Sequence, residues 1–350
     1  MALQAAQIAD LITVTLRDLG RLKFTEIAST LTDYVALPNI LQKYKVQYQS
    51  GHGIQWNVMF AQSDAAKNVG LYESDNVNIA DIMTTANIPW RHCTTNYAFE
   101  RREIQMNSNP ARIVELVKTR RADAMLSLAE LMETNLWSSP SASSDSLKPF
   151  GIPHWIQAPT NGQEGFLGKN PSGFSDTAGI DSDLEKFSGW RNYVADYTNI
   201  NKTDLIRKWR KAAVFTNFKS PVPHASYNTG NNYGYYTNYA VIGRLEEVLE
   251  AQNDNLGNDI ASKDGLLQFR QNPVVYVPKL DAETTNPIYG INWGVLKPVF
   301  LSGEWMKEEG PNTVPGQHTT FQVFVDCTLN YMCTARRRLF RLETVEGRNE

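Results

Sequence analysis

Histidine and cysteine are the side chains best able to bind a metal or attack a substrate, and their spacing here favours neither. The histidines stand at positions 52, 92, 154, 224 and 318, too far apart to form a local metal-binding pair. Cys93, Cys327 and Cys333 form no Cys-x-x-Cys motif, and Cys93 is only a sequence neighbour of His92. We therefore expect reduced, mostly buried thiols and no metal or other cofactor.

Two further runs are similar to ligand-binding loops but depart from the spacing that the chemistry requires. The run GQEGFLGK (162–169) lacks the GxxxxGK[ST] spacing and the preceding buried strand of a phosphate loop. The run DSDLE (181–185) matches the start of a calcium loop, but Lys186 and Asn192 replace its required Gly and Glu. A capped helix start over 181–190 is the expected structure. The sequence predicts no catalytic site and no enzyme.

Short basic clusters are the remaining candidate binding residues. They are Arg101-Arg102, Arg120-Arg121, Arg207-Lys208 with Arg210-Lys211, and Arg336-Arg337-Arg338. They could contact phosphates, but the net charge is −3, and a protein that condenses nucleic acid carries a large positive excess. Ion pairs with carboxylates of adjacent subunits are favoured, and the run EWMKEE (304–309) offers such partners.

The composition describes a chain that buries a large core and covers its surface with polar, uncharged residues. Of its 350 residues 42% are hydrophobic and 20% are charged, a charged share below the usual quarter. Asn, Thr, Ser, Gln and 15 Tyr must cover the surface, which suits protein contacts. No run of about 18 apolar residues occurs and the N-terminus has no signal-peptide pattern, so we expect a cytoplasmic protein without a membrane segment.

The first third of the chain predicts a helix, an arm and a hairpin. Apolar residues at helical spacing predict a helix over 3–19, and a polar-apolar arm follows. From Val46 the period changes to two and includes Trp56 and Phe60, which predicts a strand with a return near 69–71. No helix follows to cover this hairpin, and an isolated hairpin is marginal in water. We expect Trp56 and Phe60 to be poorly buried until a neighbouring subunit covers them.

The rest of the chain predicts one long helix, an irregular middle and a long final strand. Asn109 as N-cap and Pro110 as first residue begin a helix to Trp137, about 40 Å long. The other predictions are a strand over 88–106, an ordered aromatic-rich excursion over 138–200, helices at 204–218 and 238–252, and strands at 273–277 and 321–331.

This order of segments resembles the HK97-like major capsid proteins of tailed bacteriophages. The closing segments carry the resemblance most sharply: NPVVYVPKLD (272–281), NPIYGINWGVLKPVFLSGEWMKEEGP (286–311) and QHTTFQVFVDCTLNYMCTARRRLFRLE (317–343). The resemblance implies an α+β fold with an N-terminal arm, an extended β-hairpin loop, a long spine helix, a peripheral-domain sheet and an axial domain. It covers nearly the whole chain in order.

Carried over by segment, the resemblance implies a division of the chain and a set of partners. The segments are the arm 1–45, extended loop 46–80, peripheral domain 81–139 with spine helix 109–138, axial domain 140–271 and a return to the peripheral sheet over 272–350. The implied role is a self-assembling subunit of the icosahedral virion capsid, formed in the host cytoplasm as hexamers and pentamers. Portal and scaffolding proteins, and a decoration protein, are implied partners; DNA is enclosed without specific binding.

The implied assembly interface includes Trp56, Phe60, Lys67, Arg101, Arg102, Arg336, Arg337 and Arg338. Two family features are not matched. The arm begins almost at once, so a separate scaffolding protein, or none, is expected rather than a cleaved scaffolding segment. Some members form a covalent Lys–Asn cross-link between subunits, but Lys67 has no marked Glu–Asn partners and is expected to be solvated.

Two alternatives stay open. An encapsulin-like nanocompartment shell would share the fold and enclose a cargo enzyme instead of a genome. A carbohydrate-binding or carbohydrate-active protein would use the aromatic stretch Tyr227–Tyr239 as stacking platforms.

Overall fold

The structure, a computed structural model, describes residues 34–63, 66–71, 81–106, 110–218, 232–250 and 267–344. The helix predicted over 3–19 and most of the predicted arm lie outside these ranges. The described end of the arm forms a π-helical turn, Ala36–Leu41, that continues as the helical turn Gln42–Tyr44. Ile40 and Leu41 of this turn are fully buried, so this end of the arm packs into the core of its own chain.

The longer helices lie where the sequence predicted them. The described α-helices beyond the arm are α1 (Arg101–Met106), α2 (Pro110–Leu136), α3 (Ile152–Trp155), α4 (Leu205–Thr216) and α5 (Tyr239–Glu250). Pro110 begins α2 because its fixed φ suits a first helical turn, in which its missing N–H removes no hydrogen bond. The predicted long helix is thus confirmed, at a length of about 40 Å. The expected N-cap, Asn109, lies outside the described ranges.

Strands make up three sheets of the described chain. The first seven strands are β1 (Val46–Tyr48), β2 (Gly53–Met59), β3 (Met83–Pro89), β4 (Arg91–Glu100), β5 (Glu164–Gly168), β6 (Asn192–Asp196) and β7 (Tyr233–Thr237). The others are β8 (Gln268–Phe269), β9 (Asn272–Tyr276), β10 (Ile288–Asn292), β11 (Leu296–Leu301), β12 (Lys307–Val314), β13 (Gln317–Cys333) and β14 (Phe340–Glu343).

The long strand β13 organises a five-stranded sheet. It pairs antiparallel with β4, from Thr320 opposite Glu100 to Leu329 opposite Arg91. Strands β11 and β12 pair antiparallel with different halves of β13, and β1 adds to β11 in parallel. Alternate residues are buried from Phe321 to Cys327, and all residues from Cys327 to Cys333 are buried. The strand predicted from its period of two is confirmed. Helix α2 packs against β4.

A second sheet has seven strands in the order β5-β6-β14-β10-β7-β9-β8. Helices α4 and α5 cover one face of this sheet and enclose an aromatic cluster. Within this cluster Trp209 of α4 stacks on Phe269 with ring centroids 4.3 Å apart and meets Tyr235 edge-on at 5.2 Å. Aromatic pairs of this geometry stabilise the fold beyond what the burial of their surface area contributes.

The sheets divide the chain differently from the sequence-based expectation. We expected 80–108 and 272–345 to build one sheet, but β9, β10 and β14 pair within the seven-stranded sheet. Local alternation predicts strands without naming their partners, which accounts for this error. Residues 101–106 also form helix α1 rather than continuing the strand, since RREIQM is a run of helix-favouring residues.

The hairpin consists of β2 and β3, a separate two-stranded sheet with Gly53 opposite Pro89 and Met59 opposite Met83. The predicted return at 69–71 is therefore wrong: Val69 and Leu71 are exposed and belong to no strand. Thr84, Ala86 and Ile88 supply the alternation that completes the pair.

The middle of the chain, 138–200, is described throughout and is held by its aromatic residues, as predicted. Trp155 and Trp190 are buried, and Phe166 packs edge-on against Tyr193 at 5.4 Å. The expected helix over 181–190 is a 3-10 helix, Glu185–Trp190.

Candidate assembly surfaces

The three cysteines lie in the core. Cys93 of β4 stands directly opposite Cys327 of β13, and both are buried, as is Cys333. Burial raises the pKa of the Cys327 and Cys333 thiols to about 12 and also raises the pKa of Cys93. At neutral pH these groups are thiols rather than nucleophilic thiolates.

His154 is the histidine most altered by its surroundings. It is buried, with its ring stacked 4.2 Å from Phe150 and edge-on to Phe174 at 4.8 Å. Burial and the nearby charge of Arg336 lower its pKa to about 3, so the ring is neutral at physiological pH. Over the ranges that the structure describes, no three His, Cys, Asp or Glu side chains are grouped to bind a metal.

The two loop-like runs have internal structural roles. The backbone N–H of Gly162 donates to the Asp196 carboxylate at 3.0 Å, so an acidic side chain occupies the place that a phosphate would need. In the acidic run, Asp181 accepts hydrogen bonds from the Asn170 amide and from the backbone N–H of Asp183, and Glu185 pairs with Arg191 at 3.2 Å.

The described part of the Tyr-rich stretch is core rather than a stacking platform. Tyr233, Tyr235 and Tyr236 of β7 are buried, and only Tyr239 is largely exposed. A cavity of about 400 Å³ lies beside Tyr233 and Tyr235, near the turn at Arg270.

Trp56 and Phe60 have aromatic partners in their own chain. Trp56 lies 6.3 Å from Trp155, and Phe60 meets Phe187 edge-on at 4.9 Å. Both are half-buried rather than poorly buried as expected. The strand period places Trp56 on the same face of the hairpin as the buried Ile54, and this face packs against Trp155 of its own chain.

The outer face of the hairpin is exposed. Met59 and Met83 stand opposite each other and expose 49% and 53% of their surface. Leu71, in the segment beyond β2, is 92% exposed, and Lys67 is exposed nearby. Apolar side chains gathered on an exposed strand pair are typical of a surface that another molecule covers.

The arginine clusters divide between internal and external roles. Arg120 pairs with Glu103 at 2.6 Å, and Arg121 pairs with Glu308 at 2.6 Å. The acidic run 304–309 thus supplies a partner, but within the same chain. Arg101 is half-buried and Arg102 is exposed.

The three consecutive arginines have different environments. Arg336 has no exposed surface, and its guanidinium donates to the backbone carbonyls of Trp155 and Lys169, both at 2.8 Å, and to Thr177 at 3.2 Å. Burial lowers its pKa to about 10. Arg338 is also buried, whereas Arg337 is exposed and lies over the Phe166 ring at 4.7 Å. An interface role for Arg336 and Arg338 is therefore withdrawn, because neither presents surface to a neighbour.

Sequence reasoning missed two buried charged groups. Glu133 of α2 is buried, and so is Glu343, which pairs at 2.6 Å with the half-buried Arg341. Arg341 also pairs with Glu283 at 3.2 Å. Glu133 falls on the same helix face as Met132 and Leu136. A carboxylate within an apolar stripe of a helix was the sequence signal that could have predicted its burial.

The chain has the fold of phage capsid subunits. It superposes on a chain of the capsid asymmetric unit of cyanophage A-1(L) with a TM-score of 0.61 at 14% identity, covering 92% of this chain and 96% of that one. The capsid of Myoviridae phage XM1 gives 0.54 at 9% identity, covering 94% and 98%. A chain of Mycobacterium phage Bobi gives 0.52 at 8% identity, covering 98% and 99%.

No protein-family model and no curated protein sequence matches the chain. None of its described helices is both long and apolar enough to cross a membrane. The fold likeness and the exposed surfaces are thus the findings on which a function can be argued.

Proposed function

We propose that this chain is the major capsid protein of a tailed bacteriophage. It assembles as hexamers and pentamers into an icosahedral, HK97-like shell around a double-stranded DNA genome. The observation that carries the proposal is a fold shared with capsid chains over nearly the full length of both partners, 92% and 96% in the cyanophage case. Function needs a surface as well as a fold, and the exposed outer face of the hairpin supplies one.

The extended loop acts in assembly through its outer face. Met59 and Met83 form an apolar strip that a neighbouring subunit would bury, and burial of such surface drives association. Lys67, Arg102 and Arg337 are exposed and remain proposed interface residues. Trp56, Phe60 and Arg101 are half-buried, and they complete this interface where a neighbour covers their remaining surface.

The proposed divisions of the subunit follow the sheets. The arm keeps its proposed limit at residue 45. The extended loop, proposed over 46–80, is revised to run from Gly53 to Pro89, since β1 belongs to the five-stranded sheet. The peripheral domain comprises the five-stranded sheet with the spine helix α2. The axial domain, proposed over 140–271, also takes in β9, β10 and β14, since these strands complete the seven-stranded sheet.

The proposed partners follow from the same role. Portal and scaffolding proteins, with a decoration protein on the outside, act on the shell as it forms in the host cytoplasm and becomes the virion capsid. The net charge of −3 supports a shell that encloses DNA without binding it tightly. The proposed role requires no catalysis by the chain.

The test is negative-stain electron microscopy of the purified protein after size-exclusion chromatography, with a loop-shortened variant beside it. The backbone N–H of Phe60 donates to the carbonyl of Ile82 at 3.0 Å, so the two strand ends lie side by side. A short Gly-Ser turn can therefore replace 61–81. Wild-type protein should give closed shells or capsomers, and the variant should fold without closing shells.

Normal shells from the shortened variant would remove the assembly role of the loop. The particle contents decide between a virion and a nanocompartment, since the first encloses DNA and the second a cargo enzyme. A monomer that binds glycans would support the carbohydrate alternative, which the buried Tyr233, Tyr235 and Tyr236 do not favour.

A further inference from the structure

Helix α4 has one buried face and one exposed face of unusual composition. Leu205, Trp209 and Ala212 of the first face are buried against the seven-stranded sheet. The opposite face exposes Arg207, Arg210, Lys211, Val214 and Phe215, which we call the α4 face. An exposed helix face ordinarily carries both signs of charge, but the α4 face carries only positive charge and apolar side chains.

Part of this positive charge is not compensated within the chain. Lys211 pairs with Glu164 at 2.6 Å. Arg207 and Arg210 form no ion pair with any residue in the described ranges. Val214 and Phe215, beside them, expose 52% and 47% of their surface. Arginine next to exposed apolar side chains is typical of protein interfaces, because a partner can pair with the guanidinium and bury the apolar groups together.

A loop of the same chain has the complementary composition. Residues Asp176–Glu185, which we call the acidic loop, carry four carboxylates: Asp176, Asp181, Asp183 and Glu185. Leu184 stands between two of them and is 48% exposed. Asp183 accepts only a long hydrogen bond, 3.4 Å, from the Asn170 amide through its side chain. The side chain of Glu185 pairs with Arg191 at 3.2 Å but is 85% exposed, so a partner can still reach it.

The acidic loop is fixed in place before any partner arrives. The buried guanidinium of Arg336 donates to Thr177 at 3.2 Å and to Ser182 at 3.4 Å. Arg191 donates to the backbone carbonyl of Ser182 at 2.8 Å. Because these contacts order the loop within the subunit, little conformational entropy is lost when its carboxylates bind.

We infer that the α4 face of one subunit docks against the acidic loop of a second copy of this chain. The described residues show no ion pair between these two surfaces within one chain, so both are available to neighbours. A contact between two different surfaces of identical subunits is heterologous, and such contacts build rings or open chains. The inference rests on the proposed function and specifies one contact of the capsomer.

Duplex DNA is the competing occupant, and the observations favour a second subunit. Contacts to DNA phosphates are made by charged and polar groups and leave exposed apolar side chains without a partner. The α4 face exposes Val214 and Phe215 beside its arginines. The acidic loop matches both properties, since it offers carboxylates beside Leu184.

Charge reversal on each surface, separately and together, tests the contact. The face variant is Arg207→Glu with Arg210→Glu, and the loop variant is Asp183→Arg with Glu185→Arg. Each places like charges across the contact and should lower the yield of closed shells at least about tenfold. The quadruple variant restores opposite charges everywhere and should bring the yield back to within about threefold of wild type.

Controls separate this contact from folding and from net charge. Circular dichroism and thermal unfolding should show the same folded subunit for all variants. A control with Lys148→Glu and Arg244→Glu changes the net charge as the face variant does, at exposed sites elsewhere. It should assemble as wild type.

Three outcomes would overturn the inference. In the first, the face and loop variants assemble normally. In the second, the single-surface variants fail and the quadruple variant fails equally, which would show that the two surfaces do not meet. In the third, the face variant forms shells at wild-type yield but no longer retains DNA, which would assign the α4 face to nucleic acid. A wild-type chain that forms no shells, capsomers or rings, either alone or with its scaffolding protein, would instead remove the proposed function itself.

Discussion

The carboxylate of Glu133 in the long helix accepts a hydrogen bond from the backbone N–H of Ala36 at 2.6 Å. The other oxygen of this carboxylate accepts the indole N–H of Trp137 at 2.8 Å. Glu133 is only 1% exposed, so water does not compete for these donors. One side chain of the helix therefore holds the end of the N-terminal arm in the core.

Replacing Glu133 should loosen the arm. Glu133→Gln keeps one acceptor oxygen but turns an amide N–H group toward a donor, and we expect a loss of about 1–3 kcal/mol in the free energy of unfolding. Urea denaturation measures this loss, and limited proteolysis should show earlier cleavage near Ala36. Glu130→Gln is the matched control, because Glu130 is more exposed and forms a long 3.7 Å pair with Lys279. Equal stability of the two variants would argue against a stabilising role for the hydrogen bond between Glu133 and Ala36.

Arg336 should be intolerant of lysine although the substitution preserves charge. Lysine has three donors on a flexible stem and cannot reproduce the planar fork that reaches Trp155, Lys169 and Thr177. We expect Arg336→Lys to cost roughly 2–4 kcal/mol in chemical denaturation. Arg337→Lys, next in sequence but exposed, should change stability by less than about 0.5 kcal/mol. Similar losses at both positions would show that burial is not the cause.

His154 should make stability depend on pH in the mildly acidic range. Its folded pKa is about 3, below the unfolded value of about 6.5, so the unfolded chain binds the proton first as pH falls. The stabilisation is complete above pH 6.5 and declines toward pH 3. Between pH 7 and pH 5 the loss from this group is about 2 kcal/mol.

His154→Phe removes that proton site and should flatten the decline between pH 7 and pH 5 by about 2 kcal/mol, as measured by urea denaturation at each pH. An unchanged slope in the Phe variant would mean that other groups govern this range.

The outer face of the hairpin should affect assembly without affecting the fold. Met59→Glu with Met83→Lys replaces the exposed apolar pair with opposite charges that still attract across the strands. We expect unfolding free energy to change by less than about 0.5 kcal/mol, and shell yield to fall severalfold, judged by electron microscopy. Leu147→Glu, at an exposed apolar residue outside the hairpin, should leave the shell yield unchanged. Full assembly by the double variant would exclude this face from the interface.

Local pattern predicted the elements whose signal is complete within their own sequence. Helix α2 has a terminal proline and an apolar repeat, and β13 carries apolar residues at every second position from Phe321 to Tyr331. The partners of the strands were not predictable in the same way. Strand β14 lies beside β6 and β10, and nothing in the sequence FRLE (340–343) distinguishes these neighbours from β13.

The candidate site shows the same limit at the level of single residues. Arg336 and Arg337 are adjacent and identical in type, yet one is buried among carbonyl groups and the other lies on an aromatic ring at the surface. Trp56 was predicted on the hairpin correctly, but its face depends on Trp155, which is remote in sequence. Burial of such residues is decided by long-range packing, which one sequence does not encode in readable form.

The passage from β13 to β14 has a mechanical consequence. Both strands are interior in their sheets, since β13 lies between β4 and the β11–β12 pair, and β14 lies between β6 and β10. Residues 334–339 join these two strands, and Arg336 anchors that link in the core. Residues 293–295 form a second link between the sheets, from β10 to β11. A force that pulls the two sheets apart would therefore act on the backbone hydrogen bonds on both sides of β13 and of β14. These hydrogen bonds would be loaded together, in shear, whereas an edge strand could be peeled away one hydrogen bond at a time. The subunit should resist tension as one unit and melt in a single calorimetric transition.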